Sequence, residues 1–357
     1  MLENLRIYVF VSAPCTRRFA IALILTICYS IWFNGENTDM SLPSSGNIVA
    51  SNYLVLLPGD NTTQSLPREP YRLSELPSDD SSTLIDIKGF KFLMNHYPCN
   101  NTQPLILILI HSAPGNFVRR KTLRETWAQR SPLVSLLFFI GTSEKFQDRL
   151  EDENSKYKDL IQGNFVDVYR NMTYKHVMAL KWTTYHCPNA KYILKLDDDV
   201  FVHVSAMVEF LTHDLTLLRN QRLILCDVSL SSPVKRTWRS KWRVSYLEYP
   251  GRYYPAYCLG WAILYTPDSV LLLYREAQRE PYFWIDDIHI TGIIAHKLNL
   301  TLISLHSLVL TTKKMTDMLS NSRIGGGFLF GPPDMSEDRM RALHSFLSTT
   351  RTVINLD

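Results

Sequence analysis

The sequence is short of several features that would decide its class at once. It holds no CxxC pair and no Cys/His spacing of the zinc-binding kind. There is no internal repeat. The net charge is only +4, too little to argue for nucleic acid as a partner. Nor is there a His/Asp-rich cluster that would hold the second metal of a nuclease or phosphatase. No apolar run cleanly reaches the roughly 20 residues that a membrane helix needs; the best, residues 19–33 (FAIALILTICYSIWF), falls short.

That short run still places the chain. Arg17 and Arg18 precede it, and Glu36 and Asp39 follow. The positive side stays cytosolic, so residues 1–18 read as a cytosolic tail, 19–33 as a signal-anchor suited to a thin membrane, and the bulk as lumenal. A cleaved signal peptide is the alternative, with Cys28 and Ser30 as small residues near a cut. The bulky Ile31-Trp32-Phe33 favours the uncleaved anchor. Residues 34–90, rich in Ser, Pro, Asn, Thr and Asp, read as a stem. Asn61, Asn100, Asn171 and Asn299 open glycosylation sequons. Outside the tail and anchor lie Cys99, Cys187, Cys226 and Cys258, which allow three pairings; we take Cys99–Cys187 with Cys226–Cys258.

The folded part, residues 91–357, is organised around KYILKLDDDVFVH at 191–203. A continuous apolar run reads as a strand buried on both faces of a parallel sheet. Asp197, Asp198 and Asp199 cannot lie inside such a sheet unpaired, so they belong at its edge, where ligands bind in open α/β folds. Several carboxylates there suit a hard divalent cation shared with a diphosphate; a solvated acidic loop is the bland alternative. Strands at 104–110, 136–140, 163–169 and 222–226 alternate with helices at 118–129, 141–150, 173–186 and 204–219. This predicts an α/β domain with a mainly parallel sheet, and residues 238–265 read as an aromatic-rich layer over its edge. The 7 Trp, 18 Tyr and 16 Phe suit sugar stacking and a large core equally well.

Three further clusters carry candidate chemistry. Arg120 and Arg124 share a helix face and suit a diphosphate by charge and fork geometry; a solvated face is the alternative. Asp167 is expected to end a strand on the ligand edge with Lys175 on the next helix, to meet a base, ribose or phosphate; a surface pair would need the same residues. In FWIDDIHITGIIAHKL at 283–298, Asp286 and Asp287 fall at a helix start, where they can cap or act as a general base. Tyr282, Phe283 and Trp284 just before them suit a sugar platform.

Six stretches, RKTLRETW (120–127), FFIGTS (138–143), DVYRNMTYK (167–175), KYILKLDDDVFV (191–202), YYPAYCLGWAILY (253–265) and DDIHITGI (286–293), together resemble the β-1,3-galactosyltransferase family, glycosyltransferase family 31. That family includes β-1,3-N-acetylglucosaminyltransferases and, more distantly, the Fringe enzymes. The resemblance covers about residues 104–300. It implies a GT-A-type, Rossmann-like fold, a single-pass type II Golgi membrane protein with a lumenal domain, a UDP-sugar donor, Mn²⁺ or another divalent cation, and a glycan acceptor on protein or lipid. It implies transfer of a hexose, taken here as galactose, with inversion to a β-1,3 linkage. A β-1,3-N-acetylglucosaminyltransferase or a non-catalytic lumenal sugar-binding partner are the alternatives. Carried over, Asp199 would be the main metal ligand with Asp197 beside it, and Asp197 and Asp198 would lie near ribose and diphosphate. Asp287 would be the base, and Tyr257, Trp261, Trp284 and Asp286 would border the sugars. Two departures stand out: Trp261 follows Gly260 where the family has Gly-Gly, and Asp286 stands where it has Glu. A histidine ligand is not placed, His306 and His344 being the candidates.

Overall fold

Long β-branched and leucine-rich runs build the centre of the molecule. In the computed structural model, residues 73–100, 102–215, 222–321 and 327–354 are described. The tail, the 19–33 run, most of the expected stem and Asn61 lie outside them. Among the described residues no helix is long and apolar enough to cross a membrane.

Chain order begins with two short strands, β1 (Thr83–Leu84) and β2 (Ile87–Lys88), then β3 (Phe92–Met94) and β4 (Ile106–His111). Helix α1 (Phe117–Glu125), β5 (Val134–Thr142), α2 (Gln147–Tyr157), β6 (Leu160–Val166), α3 (Met172–His186) and β7 (Tyr192–Asp197) follow. After α4 (Val204–Glu209) come β8 (Leu223–Ser229), β9 (Tyr257–Tyr265) and α5 (Pro267–Ala277). The chain finishes with a π-helical segment Ile288–Ile294, β10 (Thr301–Ser304), α6 (Thr312–Asn321) and α7 (Glu337–Ile354).

One sheet of eight strands runs in the order β10-β8-β9-β7-β4-β5-β6-β3. β7, β4, β5 and β6 are parallel, as are β10 and β8. β9 lies antiparallel between β7 and β8, and β3 is antiparallel on β6. Apolar layers cover both faces, one under α1, α4, α6 and α7, the other under α3 and α5. This explains why β4 and β5 are apolar at nearly every position rather than alternating.

The α/β reading with a mainly parallel sheet is therefore correct, with two adjustments. Residues 257–265, expected in a separate layer, form the sheet's central antiparallel strand. The strand expected at 163–169 is Leu160–Val166 and stops before Asp167. Part of the expected stem is also folded onto the domain. Asp80 is buried there, accepting from Lys181 Nζ (3.4 Å), Tyr185 Oη (2.6 Å) and Tyr274 Oη. Burial alone would push its carboxyl up, but the hydrogen bonds from Tyr185, Tyr274 and Gln278 hold it below the usual range. Cys99–Cys187 and Cys226–Cys258 are both disulfide-bonded. Asn100 and Asn299 are exposed, whereas the half-buried Asn171 donates its amide to Val166 O at 2.8 Å.

Candidate active site

β7 ends in Asp197, and the two following carboxylates turn off the sheet edge. Their partners differ. Asp198, nearly buried, accepts from Ser112 Oγ (2.6 Å), Asn116 Nδ2 (2.8 Å) and Arg119 Nη1 (3.2 Å). Asp199 accepts only from Arg119 Nη1, at 3.0 Å, among side chains of the described residues. Burial and the neighbouring Asp197 and Asp198 charges push its carboxyl up to about 6, Arg119 offsetting only part of the rise. Asp197 accepts from Lys195 Nζ at 3.0 Å.

Lys195 is the least expected member. It sits within β7, 1 % exposed, and its ammonium also donates to Gly260 O on the adjacent β9. Attraction to Asp197 and Asp286 outweighs burial and keeps it firmly protonated. Gly260 in turn donates its N–H to Asp287 Oδ2 at 3.2 Å. A β-carbon on Gly260 would stand 3.2 Å from Asp287 Cβ, so only glycine allows this approach without displacement.

Asp286 and Asp287 immediately precede the π-helical segment, Asp287 at its N-cap. Asp287 Oδ1 accepts from Ile288 N–H at 2.8 Å, which is the capping role, yet that bond and the Gly260 bond leave it poorly compensated. Burial first, then the Asp286 charge, push its carboxyl up. Asp286 moves the other way. Burial opposes its ionisation, but the His176 hydrogen bond and the Lys195 charge win and hold it low. His176 is wholly buried, with Nδ1 2.9 Å from Asp286 Oδ2 and Nε2 3.0 Å from Tyr265 Oη. Burial lowers the imidazole pKa, and Tyr265 stays protonated. The consistent assignment is a neutral ring, Nδ1–H donating to ionised Asp286 and Nε2 accepting from the Tyr265 hydroxyl.

These groups border a cavity of about 400 Å³, within the range of small-molecule sites. Asp197, Asp286 and Asp287 line it with Tyr257, Trp261 and Trp284. Trp261 packs edge-on against Phe330, ring centres 5.7 Å apart. Arg170 lies over the Trp284 ring at 4.5 Å, and Tyr257 Oη donates to Ser232 Oγ at 3.2 Å. Adjoining residues not anticipated from sequence are Tyr169, Trp242 and Tyr254.

Four residues expected at the nucleotide are engaged elsewhere. Arg120, fully buried, binds Glu153 Oε2 (2.6 Å), Ser112 Oγ (2.9 Å) and Ala113 O (2.7 Å). Arg124 forks onto Asp159 (2.8 Å to each oxygen) and reaches Glu153 (2.8 Å). The two do share a helix face, but it is turned toward the α2 side; Arg119, one position earlier, is the arginine at the acidic edge. Lys175 and Asp167 pair with each other at 2.8 Å, Lys175 also donating to Ser112 O and Asp167 accepting from Gly141 N–H. They brace neighbouring strand ends. His306 is exposed and 3.0 Å from Asp227, and His344 is half-buried on α7; among the described residues no three His, Cys, Asp or Glu side chains are grouped to hold a metal.

The sequence matches the family model described as galactosyltransferase over residues 118–306, more than half of the chain. The chain belongs to the galactosyltransferase family. Three relatives illustrate the range. A human UDP-GalNAc:β-1,3-N-acetylgalactosaminyltransferase 1 is 31 % identical over 223 residues, 60 % of this chain and 65 % of that protein. The Mus musculus protein of the same name is 31 % identical, over 61 % of this chain and 67 % of its own length. A β-1,3-galactosyltransferase 5 from Pan troglodytes is 30 % identical, over 58 % and 71 %. The chain thus spans about two thirds of the lengths of these relatives, slightly less for the human one.

Proposed function

We propose that this galactosyltransferase-family chain is an inverting β-1,3-hexosyltransferase of the GT-A type, moving galactose from UDP-galactose to the 3-hydroxyl of a glycan. The observation that carries the reading is Asp287, a half-buried carboxylate with raised proton affinity on the wall of an aromatic-lined cavity that Asp197 of the acidic edge also borders. A base is useful when its pKa approaches the working pH, and this one is tuned upward by burial and a like charge. In the proposed reaction Asp287 takes the proton of the acceptor hydroxyl. The hydroxyl oxygen forms the new bond to the sugar's anomeric carbon while the bond to UDP breaks, its electrons passing to the diphosphate. One displacement inverts the centre, so no enzyme nucleophile is required. Asp286, held ionised by His176, keeps the proton affinity of Asp287 high.

The acidic edge fits a divalent cation. Asp199 is a poorly compensated carboxylate at a sheet edge, and Asp197 lies beside it. With no complete protein cage among the described residues, the remaining ligands would be diphosphate and water, the usual habit of Mg²⁺ and Mn²⁺. Neutralising charge on the departing diphosphate is the chemistry such an ion, Mn²⁺ in our reading, supplies when bound. Arg119 can turn from Asp198 and Asp199 toward the same phosphates. Tyr257, Trp261 and Trp284 offer faces and edges to sugar rings. The reading extends to a lumenal domain held at the Golgi membrane by the 19–33 run, as the sequons and disulfides support.

The test is a donor panel: UDP-galactose, UDP-N-acetylgalactosamine and UDP-N-acetylglucosamine, each with β-linked acceptors, in Mn²⁺ or EDTA, products read by mass. Galactose transfer that needs Mn²⁺ supports the full reading. Transfer of an acetamido sugar replaces the donor, an open choice given the names of the relatives. UDP binding with no product from any acceptor and no dependence on Asp287 would leave a sugar-binding partner in place of an enzyme.

A further inference from the structure

The segment 230–254, between β8 and β9, is used by the proposed reaction only where it borders the cavity. Its composition is unlike the rest of the chain. Lys235, Arg236, Arg239, Lys241, Arg243 and Arg252 face a single carboxylate, Glu248, a net +5. The whole chain carries +4, so everything outside this segment sums to −1.

It is also where apolar side chains reach the surface. Six of the fourteen large exposed apolar residues among those described are Leu230, Trp238, Trp242, Tyr246, Leu247 and Tyr253, with Leu247 99 % and Trp238 78 % exposed. This exposure does not come from a loose loop. Val244 is buried, its N–H donating to Lys235 O, and Pro233 pairs with Tyr253. Arg236 ties the interior of the loop by donating to Val244 O, Tyr249 O and Gly251 O. The outer cations are left without carboxylate partners: none of Lys235, Arg239, Lys241, Arg243 or Arg252 forms an ion pair among the described residues. Instead Arg239 lies over Trp238 at 5.2 Å and Lys241 over Trp242 at 4.4 Å.

We propose that the 230–254 loop is a docking surface for an anionic lipid surface, with its cations on headgroup phosphates and Trp238 and Leu247 in the interfacial layer. Tryptophan favours that layer because its ring is apolar and its N–H polar. Unpaired Lys and Arg beside it add attraction to anionic lipid. An acidic glycan would account for the cations but not for a fully exposed leucine, and a protein groove would account for the leucine but not for a net charge of +5. Trp242 and Lys235 also line the cavity, so the surface lies at its mouth.

The test uses the full chain in lipid nanodiscs whose acyl chains are brominated, made of phosphatidylcholine alone or with added phosphatidylserine. Bromine quenches only tryptophan that reaches the acyl boundary, and Trp238→Phe isolates the contribution of one residue from that of Trp32 in the N-terminal run. The expected result is a Trp238 signal quenched in the phosphatidylserine discs, weaker in neutral discs, lost in high salt and lost in Arg239→Gln/Lys241→Gln/Arg243→Gln. An unquenched Trp238 signal, equal quenching in neutral discs, or quenching that survives the triple substitution would overturn the proposal. So would protection of Trp238 by a soluble sulfated oligosaccharide in the absence of any lipid effect, which would assign the surface to an acidic glycan. None of these readouts needs turnover, so their failure is separate from failure of the transferase reading.

Discussion

Two charged clusters are buried at the same end of the sheet, and they are built on opposite principles. Around α1 and α2, Arg120 and Arg124 meet Glu153 and Asp159: two cations, two carboxylates, each with short forked hydrogen bonds. Around the end of β7, among the described residues, Asp197, Asp198, Asp199, Asp286 and Asp287 face only Arg119 and Lys195, with His176 neutral. The first cluster is neutral as it stands. The second is short of positive charge, and burial with neighbouring carboxylates pushes three of its members, Asp197, Asp199 and Asp287, to higher pKa. Balanced burial is what a fold needs to tolerate charge; unbalanced burial persists where a ligand completes it. The contrast separates structure from function more sharply than position at the sheet edge does.

The largest effect that would test this contrast is at Asp287. Asp287→Asn is expected to lower transfer by about 10³-fold with UDP binding retained and thermal midpoint unchanged or raised; normal turnover would remove the base assignment. The counterpart is Arg120→Met, which leaves Glu153 with Arg124 alone and takes the donor from Ser112 Oγ and Ala113 O. It is expected to cost about 3–5 kcal/mol of stability in denaturant titration, while whatever folds transfers at the ordinary rate. A change in donor affinity without loss of stability would return Arg120 to the nucleotide. Next is Gly260→Ala, whose methyl crowds Asp287. Transfer is expected to fall by up to about 10²-fold through misplacement, with little change in the unfolding curve. The smallest effect concerns His176. In the proposed reaction transfer needs ionised Asp287, so activity is expected to be lost as pH falls through its raised pKa, with the acid limb of kcat/KM above the usual carboxylate range. His176→Leu removes the hydrogen bond that keeps Asp286 charged. Repulsion on Asp287 then eases, and the acid limb moves to lower pH by about one unit or less. An unmoved limb would mean that His176 only fills space.

Where these clusters lie was legible in the sequence; which residue does what was only partly so. Three adjacent Asp after an apolar run had to lie at the sheet's edge: Asp197 is the last residue of β7, and Asp198 and Asp199 follow beyond it. The Arg120/Arg124 spacing correctly placed two arginines on one face, but spacing cannot say which way a face turns. The deciding partners, Glu153 and Asp159, lie about thirty residues away. Lys195 left a signal that was passed over, a lysine in the middle of a buried strand. His176 left none, because nearly every side of α3 is buried and no face is marked as special. β9 was hidden by its neighbours: the exposed aromatic loop before it has a similar composition, so burial could not be told from surface by residue type.

Gly260 links the two halves of this site through its backbone. Its carbonyl is held by Lys195, which also holds Asp197, and its N–H is held by Asp287. The spacing between Asp197 and Asp287, the proposed diphosphate and acceptor sides, is thus kept by main-chain atoms and one ammonium, with no aromatic ring in the linkage. Neither the Trp261 nor the Trp284 ring takes part in that linkage, so replacing either one reshapes the cavity wall while the Asp197-to-Asp287 span stays as it is.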